Sequence, residues 1–327
     1  MLLTAAFAFA FATVGKDKPI TVKVLVLNLD PKVEGRPLHE YMHWNDPHKL
    51  AEGYMSDVSE CSGGFIQYKI AEWRDVDAFP VKKDGFRYTA DSFTAIWSKK
   101  EKAHQPDAVD YSDLLLSQKV PQAIDSGKAD ELWVFGAPNF GFFETCMAGP
   151  TAYFVNGDPV PDIPTKRDFV IFGFSYERGV AEMIHDLAHR VENHLARAYG
   201  RWDTFGSAPL NRWEQFSLYR NPKGDGKEVV GCGNCHFPPN GTHDYDYANP
   251  TPILSNAGEW FNYPNVGTKA EEVSCQTWGG PDYQRNYLKW WFKHLPHREG
   301  NDADGRPMNW WKYVFDFNDY GRDGLHK

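Results

Sequence analysis

Short apolar runs alternate with amphipathic helical stretches over the first 200 residues, and this alternation limits the fold more than any other feature of the sequence. Apolar runs of strand length, rich in β-branched and aromatic residues, occupy residues 22–29, 65–73, 131–136 and 168–174. Stretches with helical spacing occupy residues 46–60, 110–126 and 179–199. Because parallel strands need a crossover connection, the alternation predicts an α/β core over residues 20–200, with a mostly parallel sheet and helices on both faces.

The chain changes character after residue 200. Helical periodicity fades, turn-forming residues dominate, and eight of the twelve tryptophans lie in this part of the sequence. The overall composition, 42% hydrophobic and 24% charged, is that of a globular protein and excludes a disordered or coiled-coil chain. We therefore expect residues 201–327 to form a loop-rich, Trp-rich C-terminal lobe that packs on the α/β core as one continuous body.

The N-terminal residues predict export from the cytoplasm. Residues 2–12 are uncharged and mainly apolar, too few to span a bilayer, and they end in the small-x-small sequence Ala10-Phe11-Ala12. This pattern predicts a signal peptide over residues 1–12, with a buried N-terminal strand as the alternative. We expect a secreted or periplasmic protein without membrane insertion. The formal net charge of −9 argues against a nucleic-acid partner, because like charges repel.

The strongest helical stretch, residues 179–199, carries a polar stripe beside its apolar face. Glu182, His185 and His189 lie on this stripe, because residues three or four positions apart share one side of a helix. Two histidines at i and i+4 can bind one metal ion, as in the H-E-x-x-H motif, although the Glu after the first His is missing here. We predict Glu182, His185 and His189 as ligands of zinc or calcium. A solvated face with ion pairs is the alternative.

Two acidic residues follow the third and fourth expected strands. Open α/β sheets bind ligands outside the carboxyl ends of their strands. Glu144 lies in the Gly- and aromatic-rich loop after the third strand, and Glu177 comes soon after the fourth. Converging carboxylates suit general acid–base chemistry, so we predict Glu144 and Glu177 as catalytic residues. Loop acids in water or at helix caps are the alternative.

The string Cys232-Gly233-Asn234-Cys235-His236 matches C-x-x-C-H, the attachment motif of c-type haem. Haem c with His236 as axial ligand is one interpretation, and a structural zinc site or a free thiol is another. Prolines follow the string at once, where a haem ligand usually opens a helix, so disulfides are the leading interpretation. They would join Cys232 or Cys235 to Cys275 and Cys61 to Cys146, leaving one of the five thiols free.

Polar and aromatic residues crowd the segment that follows. We predict His236 as a catalytic residue and His243 and Asp244 as substrate-binding residues, because loops on a rigid scaffold carry function. Turn formation is the alternative for these residues. Tryptophan faces stack on sugar rings, so we also predict Trp260 and Trp278 as substrate-binding residues, while other tryptophans form the core.

These features together favour a secreted hydrolase that acts on a glycan or another extracellular polymer, with or without a metal ion. Strand-end carboxylates and helix histidines would carry its chemistry. One alternative is a non-catalytic secreted carbohydrate-binding protein. The other is an exported c-type haem protein that uses Cys232, Cys235 and His236. No heptad repeat indicates a particular oligomeric state.

Overall fold

The computed structural model describes residues 17–203, 209–218 and 229–327. The expected signal peptide, residues 1–12, lies outside the described residues. Within the described residues, no helix has both the length and the apolar character needed to cross a bilayer.

The strands, in chain order, are β1 (Ile20–Leu29), β2 (Lys32–Val33), β3 (Arg36–Pro37), β4 (Ile66–Val76), β5 (Glu131–Gly136), β6 (Thr145–Ala148), β7 (Phe169–Ser175), β8 (Ile253–Ser255), β9 (Glu271–Val273), β10 (His297–Asn301) and β11 (Pro307–Asn309). The α-helices are α1 (Leu38–Tyr41), α2 (Pro47–Cys61), α3 (Ala90–Trp97), α4 (Tyr111–Ser117), α5 (Val120–Asp125), α6 (Val180–Ala198), α7 (Arg212–Ser217), α8 (Cys275–Trp278), α9 (Tyr283–His294) and α10 (Trp311–Phe315). Short 3₁₀ helices occupy Ala257–Asn262 and Phe317–Asp319.

Five strands form the main sheet, in the order β4-β1-β5-β7-β6. The first four of these are parallel, and β6 pairs antiparallel with β7 at the edge. β5 is buried at every position, as expected for a strand covered on both faces. The mostly parallel sheet with helices around it confirms the predicted α/β fold. The sequence does not predict β6, because four residues are too few to show a strand period.

The predicted helix over residues 110–126 is two helices, α4 and α5. Lys119, between them, has a φ of 54°, in the left-handed region that a continuous helix does not contain. Pro121 lacks the backbone N–H that an uninterrupted helix would use to bond the preceding turn. The proline therefore stands at the start of α5, where no such bond is needed.

A buried ion pair holds α6 against the sheet. Nη1 of Arg190 in α6 lies 2.5 Å from Oε2 of Glu131 in β5, and both side chains are at most 2% exposed. The Tyr68 hydroxyl and the Trp133 indole donate hydrogen bonds to Oε1 of Glu131, at 3.0 and 2.9 Å. Because a buried charge is costly without partners, this arrangement fixes the rotation of α6 and therefore the direction of its other polar side chains.

The apolar face of α6 packs into the core. Ile184, Leu187, Val191 and Leu195 are each at most 1% exposed. The helix contacts α2, α9 and α10 as well as β6 and β7. It ends before Gly200, whose φ of 81° takes the chain out of the helical region. One face of α6 therefore joins the sheet to helices of the C-terminal part of the chain.

The described part of the C-terminal region, residues 201–327, is built around aromatic rings packed edge to face or tilted against one another. Trp213, Trp260, Trp291 and Trp310 are each at most 1% exposed. The ring centroids of Trp260 and Trp310 lie 5.8 Å apart, and those of Trp213 and Trp291 lie 6.3 Å apart. One hydrophobic cluster contains these rings and the buried side chains of the sheet, so the core is continuous across residue 200. A Trp-rich C-terminal region is therefore confirmed.

Candidate metal centre

Three histidines from two parts of the chain point the same ring nitrogen toward one another. Nε2 of His189 lies 3.1 Å from Nε2 of His185 and 3.2 Å from Nε2 of His236. With Sγ of Cys235, one ligand atom from each of the four residues lies within 4.8 Å of all the others. α6 supplies the first two histidines, and the C-x-x-C-H string supplies the other two side chains. The group could hold a metal ion.

The spacing of these nitrogens suits a tetrahedral metal ion. A zinc–nitrogen bond of about 2.0–2.1 Å and a tetrahedral angle place two ligand nitrogens about 3.3 Å apart. The observed separations of 3.1 and 3.2 Å are close to this value. His185 is 2% exposed, which opposes the alternative of a solvated polar face. Nitrogen and sulfur atoms are ligands that zinc prefers, whereas calcium prefers oxygen.

Carboxylates stand at the opposite ring nitrogen of two of the histidines. Nδ1 of His189 lies 3.1 Å from Oε2 of Glu192, and Nδ1 of His236 lies 3.6 Å from Oδ1 of Asp244. Metal-binding histidines usually have such a partner, which orients the ring and leaves Nε2 for the metal. The other oxygen of Glu192 accepts a hydrogen bond of 2.7 Å from the Cys235 backbone N–H, and so ties the loop to α6.

Cys235 lies beside the ring of His185. Its Sγ is 3.2 Å from Nδ1 and 3.9 Å from Nε2 of that ring, and the side chain is fully buried. Burial, reinforced by the charge of Glu192, raises the pKa of the Cys235 thiol well above its usual range. The sulfur is therefore closer to the back of His185 than to the point where the Nε2 atoms meet.

The two α6 histidines have opposite protonation tendencies. Burial, followed by the neighbouring charges of His189 and His236, lowers the pKa of His185 to about 3. Burial also acts to lower the pKa of His189, but the hydrogen bond to Glu192 and the charges of Glu192 and Glu144 outweigh it and leave that pKa raised. His185 is neutral at physiological pH, which is the form that binds metals.

A cavity of about 530 Å³ opens onto the histidines. Aromatic and amide side chains dominate its lining, which consists of Phe154, Asn156, His189, Glu192, Asn193, Trp202, Asn234, His236 and Phe237. Glu144 stands at the same place, with Oε2 3.6 Å from Nε2 of His189, and it accepts a hydrogen bond from the Asn156 amide. The Tyr245 hydroxyl lies 3.4 Å from Nε2 of His236. Solutes can therefore reach the Nε2 side of the cluster.

Helix α9 holds the C-x-x-C-H loop in place. The Tyr287 hydroxyl lies 2.8 Å from the carbonyl oxygen of Asn234, and the Trp291 indole donates a 2.9 Å hydrogen bond to that of Gly233. Gly233 has a φ of 77°, and a Cβ there would lie 2.3 Å from the Phe237 carbonyl oxygen. Only glycine fits this position, and the fixed loop sets the direction of the His236 side chain.

Two predicted acidic residues lie in ion pairs instead of the cluster. Glu182, predicted as a metal ligand, has Oε1 3.0 Å from Nη1 of Arg178. Glu177, predicted as catalytic, has Oε2 3.1 Å from Nε of the same arginine. The converging group contains Cys235 and His236 where the sequence predicted Glu182. A single helix could not reveal this exchange, because the additional ligands come from a loop some fifty residues away.

The predicted substrate-binding residues lie in different environments. Asp244 lies beside His236, as described above. His243 is 70% exposed in its side chain, with Nε2 3.4 Å from Asp246. Trp260 is 1% exposed and packs on Phe216, and the Trp278 indole, 9% exposed, donates a 2.8 Å hydrogen bond to the Tyr247 carbonyl. Both tryptophan rings therefore contact protein groups.

The disulfide prediction is wrong. All five cysteines are free and buried. Sγ of Cys61 lies near the Lys289 carbonyl, Cys146 lies in β6, and Cys235 contacts His185. Cys235 belongs to the histidine cluster, whereas the other buried thiols pack in the hydrophobic core, where cysteine behaves like a small hydrophobic residue. Cys232 and Cys235 are fully buried and do not line the cavity, which favours an ion held by side chains over a haem bonded to both thiols.

Comparisons with known proteins give no match to this chain among family models, curated proteins or solved structures.

Proposed function

We propose that the protein is a zinc-dependent hydrolase in which His185, His189 and His236 hold the metal. The observation that carries this proposal is the meeting of three Nε2 atoms at the wall of an open cavity. Catalytic zinc sites use three protein ligands and leave a position for water or substrate. Zinc bound there would acidify a water molecule and polarise the bond to be cleaved.

Glu144 is the general base in this proposal. Its carboxylate lies 3.6 Å from Nε2 of His189, on the side where the ligand nitrogens meet, and its side chain is 49% exposed. The Asn156 amide donates a hydrogen bond to Oε2 of Glu144, the carboxylate oxygen that faces His189. Glu144 takes the proton from the attacking water and passes it to the leaving group, so one carboxylate serves both halves of the hydrolysis. This is the catalytic role that the sequence predicts for it.

The cavity lining favours an uncharged substrate with hydrogen-bonding groups. The lining residues of the described chain include three aromatic rings and three asparagine amides but no lysine or arginine. Glu144, Glu192 and Asp244 surround the centre with negative charge, which disfavours anionic substrates. A sugar unit with an ester or amide substituent matches both properties, because its ring stacks on aromatic faces and its polar groups pair with amides. The proposed substrate is therefore a glycan, as the sequence predicts.

A closed structural zinc site is the second candidate. Sγ of Cys235 is 3.9 Å from Nε2 of His185, and four protein ligands of this kind form structural sites in many proteins. The two candidates differ in what Cys235→Ser does. A catalytic site with three histidines keeps its zinc in this variant, whereas a closed site loses at least about a hundredfold in affinity, because four ligands share the binding free energy.

The proposal is tested by measuring zinc and hydrolysis on the same samples. We expect about one zinc per chain by mass spectrometry and hydrolysis of acetylated oligosaccharides or aryl acetates. His189→Ala should lose both. Glu144→Gln should keep zinc and lose about 10²–10⁴-fold in kcat, the usual contribution of a general base. The matched control is Glu271→Gln, which removes the charge of an exposed residue paired with Lys269. A zinc-free wild-type protein, or a Glu144→Gln variant with full activity, contradicts the proposed mechanism.

A further inference from the structure

We propose that Tyr245 is a catalytic residue that donates a hydrogen bond to the substrate oxygen on which negative charge develops. The role rests on the zinc-dependent hydrolysis proposed above. Tyr245 lies in the turn-rich segment after the C-x-x-C-H string. Its role does not follow from the sequence alone, because a tyrosine among turn residues has no characteristic spacing to the helix histidines.

The phenol stands beside the meeting point of the ligand nitrogens. Its oxygen is 3.4 Å from Nε2 of His236, and its ring centroid is 4.7 Å from that of His236 and 5.9 Å from that of His185. A metal bound to Nε2 of His236 has the hydroxyl as a close neighbour. The hydroxyl would therefore lie beside a metal ion held by the three histidines, within reach of a substrate bound to it.

The backbone holds Tyr245 there in an uncommon conformation. Its φ is 62°, in the left-handed region that an aromatic residue rarely adopts. A 2.8 Å hydrogen bond from the Tyr245 N–H to the His236 carbonyl closes this turn. The residue is nevertheless 53% exposed, so burial of its ring does not explain the strained backbone. Such strain is characteristic of positions where the direction of a side chain matters for function.

Tyr245 and Glu144 lie next to different histidines of the candidate metal centre. Glu144 lies near Nε2 of His189, and the Tyr245 hydroxyl lies near Nε2 of His236. One of the two can accept the proton of water while the other donates a hydrogen bond. When water adds to a carbonyl carbon, the carbonyl electron pair moves to its oxygen, and the phenol stabilises that charge without giving up its proton. When the leaving group departs with the proton held by Glu144, the carbonyl re-forms.

The Tyr245→Phe variant tests whether the hydroxyl stabilises the transition state or only supports the structure of the site. We expect kcat to fall about 10²–10³-fold, as when a single oxyanion donor is removed, with KM changed only a few-fold and zinc content unchanged. The matched control is Tyr41→Phe, which removes a hydroxyl from a tyrosine that contacts Arg36 outside the site. The control should keep wild-type kcat.

A second readout does not depend on the choice of substrate. Acetohydroxamate binds zinc through oxygens that carry negative charge, so its dissociation constant, measured by calorimetry on zinc-loaded protein, should rise about tenfold or more in Tyr245→Phe. An unchanged dissociation constant overturns the inference while leaving the zinc site intact. Loss of zinc from Tyr245→Phe also overturns it, because the phenol is then a ligand. A wild-type protein that binds no zinc contradicts the proposed function itself.

Discussion

The α/β region and the C-terminal region bury tryptophan in different ways. In the sheet, the Trp133 indole donates a hydrogen bond to Glu131, which also pairs with Arg190. In the described part of the C-terminal region, several buried indole nitrogens have no hydrogen-bond partner, namely those of Trp202, Trp213, Trp260 and Trp311. The first region combines periodic strands with polar pairing, whereas these tryptophans of the second region are held by aromatic contact area alone.

Several side chains of the C-terminal region form hydrogen bonds with one loop. Tyr287, Trp291 and Tyr247 place their polar atoms on carbonyl oxygens of the C-x-x-C-H string. Loop carbonyls that would otherwise be buried without partners are satisfied in this way. The aromatic region therefore holds His236 rigidly against α6, and the proposed metal centre lies at the contact between the two regions.

Removal of the metal should lower the stability of the protein more than any of the substitutions that follow, because the metal would join the two regions. With free zinc at about a thousand times its dissociation constant, binding adds about 4 kcal/mol to the free energy of unfolding. We expect a chelator to lower the Tm by roughly 5–10 °C, measured by calorimetry. His236→Ala is the control and should show no further shift with chelator. If the chelator leaves the wild-type Tm unchanged, the two regions are not joined by a metal.

Buried tryptophans with and without a hydrogen bond at the indole nitrogen should respond differently to substitution by phenylalanine. Both Trp133→Phe and Trp213→Phe lose buried area, but only Trp133→Phe also loses a hydrogen bond to a carboxylate. Bonds to charged groups contribute about 1.5–3 kcal/mol, so Trp133→Phe should be more destabilising by about 2 kcal/mol. Urea unfolding of both variants measures the difference. Equal losses would remove the distinction between the regions.

Tyr287→Phe tests whether the loop needs its side-chain donors. The variant leaves the Asn234 carbonyl without the hydroxyl that lies 2.8 Å away. We expect a loss of about 1–2 kcal/mol in the free energy of unfolding and a weaker affinity for zinc. Tyr313→Phe is the control, because the Tyr313 hydroxyl is buried without a partner and its removal should cost less. A larger loss in Tyr313→Phe contradicts this account of the loop.

The same contrast explains what could be predicted from the sequence. Strand and helix periods locate β1, β4, β5, β7 and α6, because each period reflects burial on one or two faces. The pairing of His185 with His189 follows from helix geometry. The meeting of these residues with His236 does not, because it depends on how aromatic side chains fold a loop that has no period. The cysteines also predict disulfides, since sequence alone does not show that all five thiols are free.

The smallest expected effect is a pH dependence of the free energy of unfolding that arises from Asp316, the residue that follows α10. Burial, followed by the charge of Asp319, raises the pKa of Asp316 from 3.8 to about 6. The folded state therefore binds this proton more tightly than the unfolded state, and the resulting stability is full below about pH 4 and lost as the pH rises to about 6. At pH 7.5 Asp316→Asn should be more stable than the wild type by up to about 1 kcal/mol, after allowance for solvent screening. Melting curves from pH 4 to 8 should converge at the acidic end; a constant offset would contradict this.

X-ray absorption at the zinc edge tests the central claim most directly, because it reports the atoms bound to the metal. For zinc-loaded protein we predict three imidazole nitrogens at about 2.0–2.1 Å and one further light atom, without sulfur. The His236→Ala variant should lose one imidazole from this spectrum, since the C-terminal region supplies that ligand. A sulfur atom at about 2.3 Å in the wild type would make the site a closed structural one, and an unchanged spectrum in His236→Ala would contradict a centre shared by the two regions.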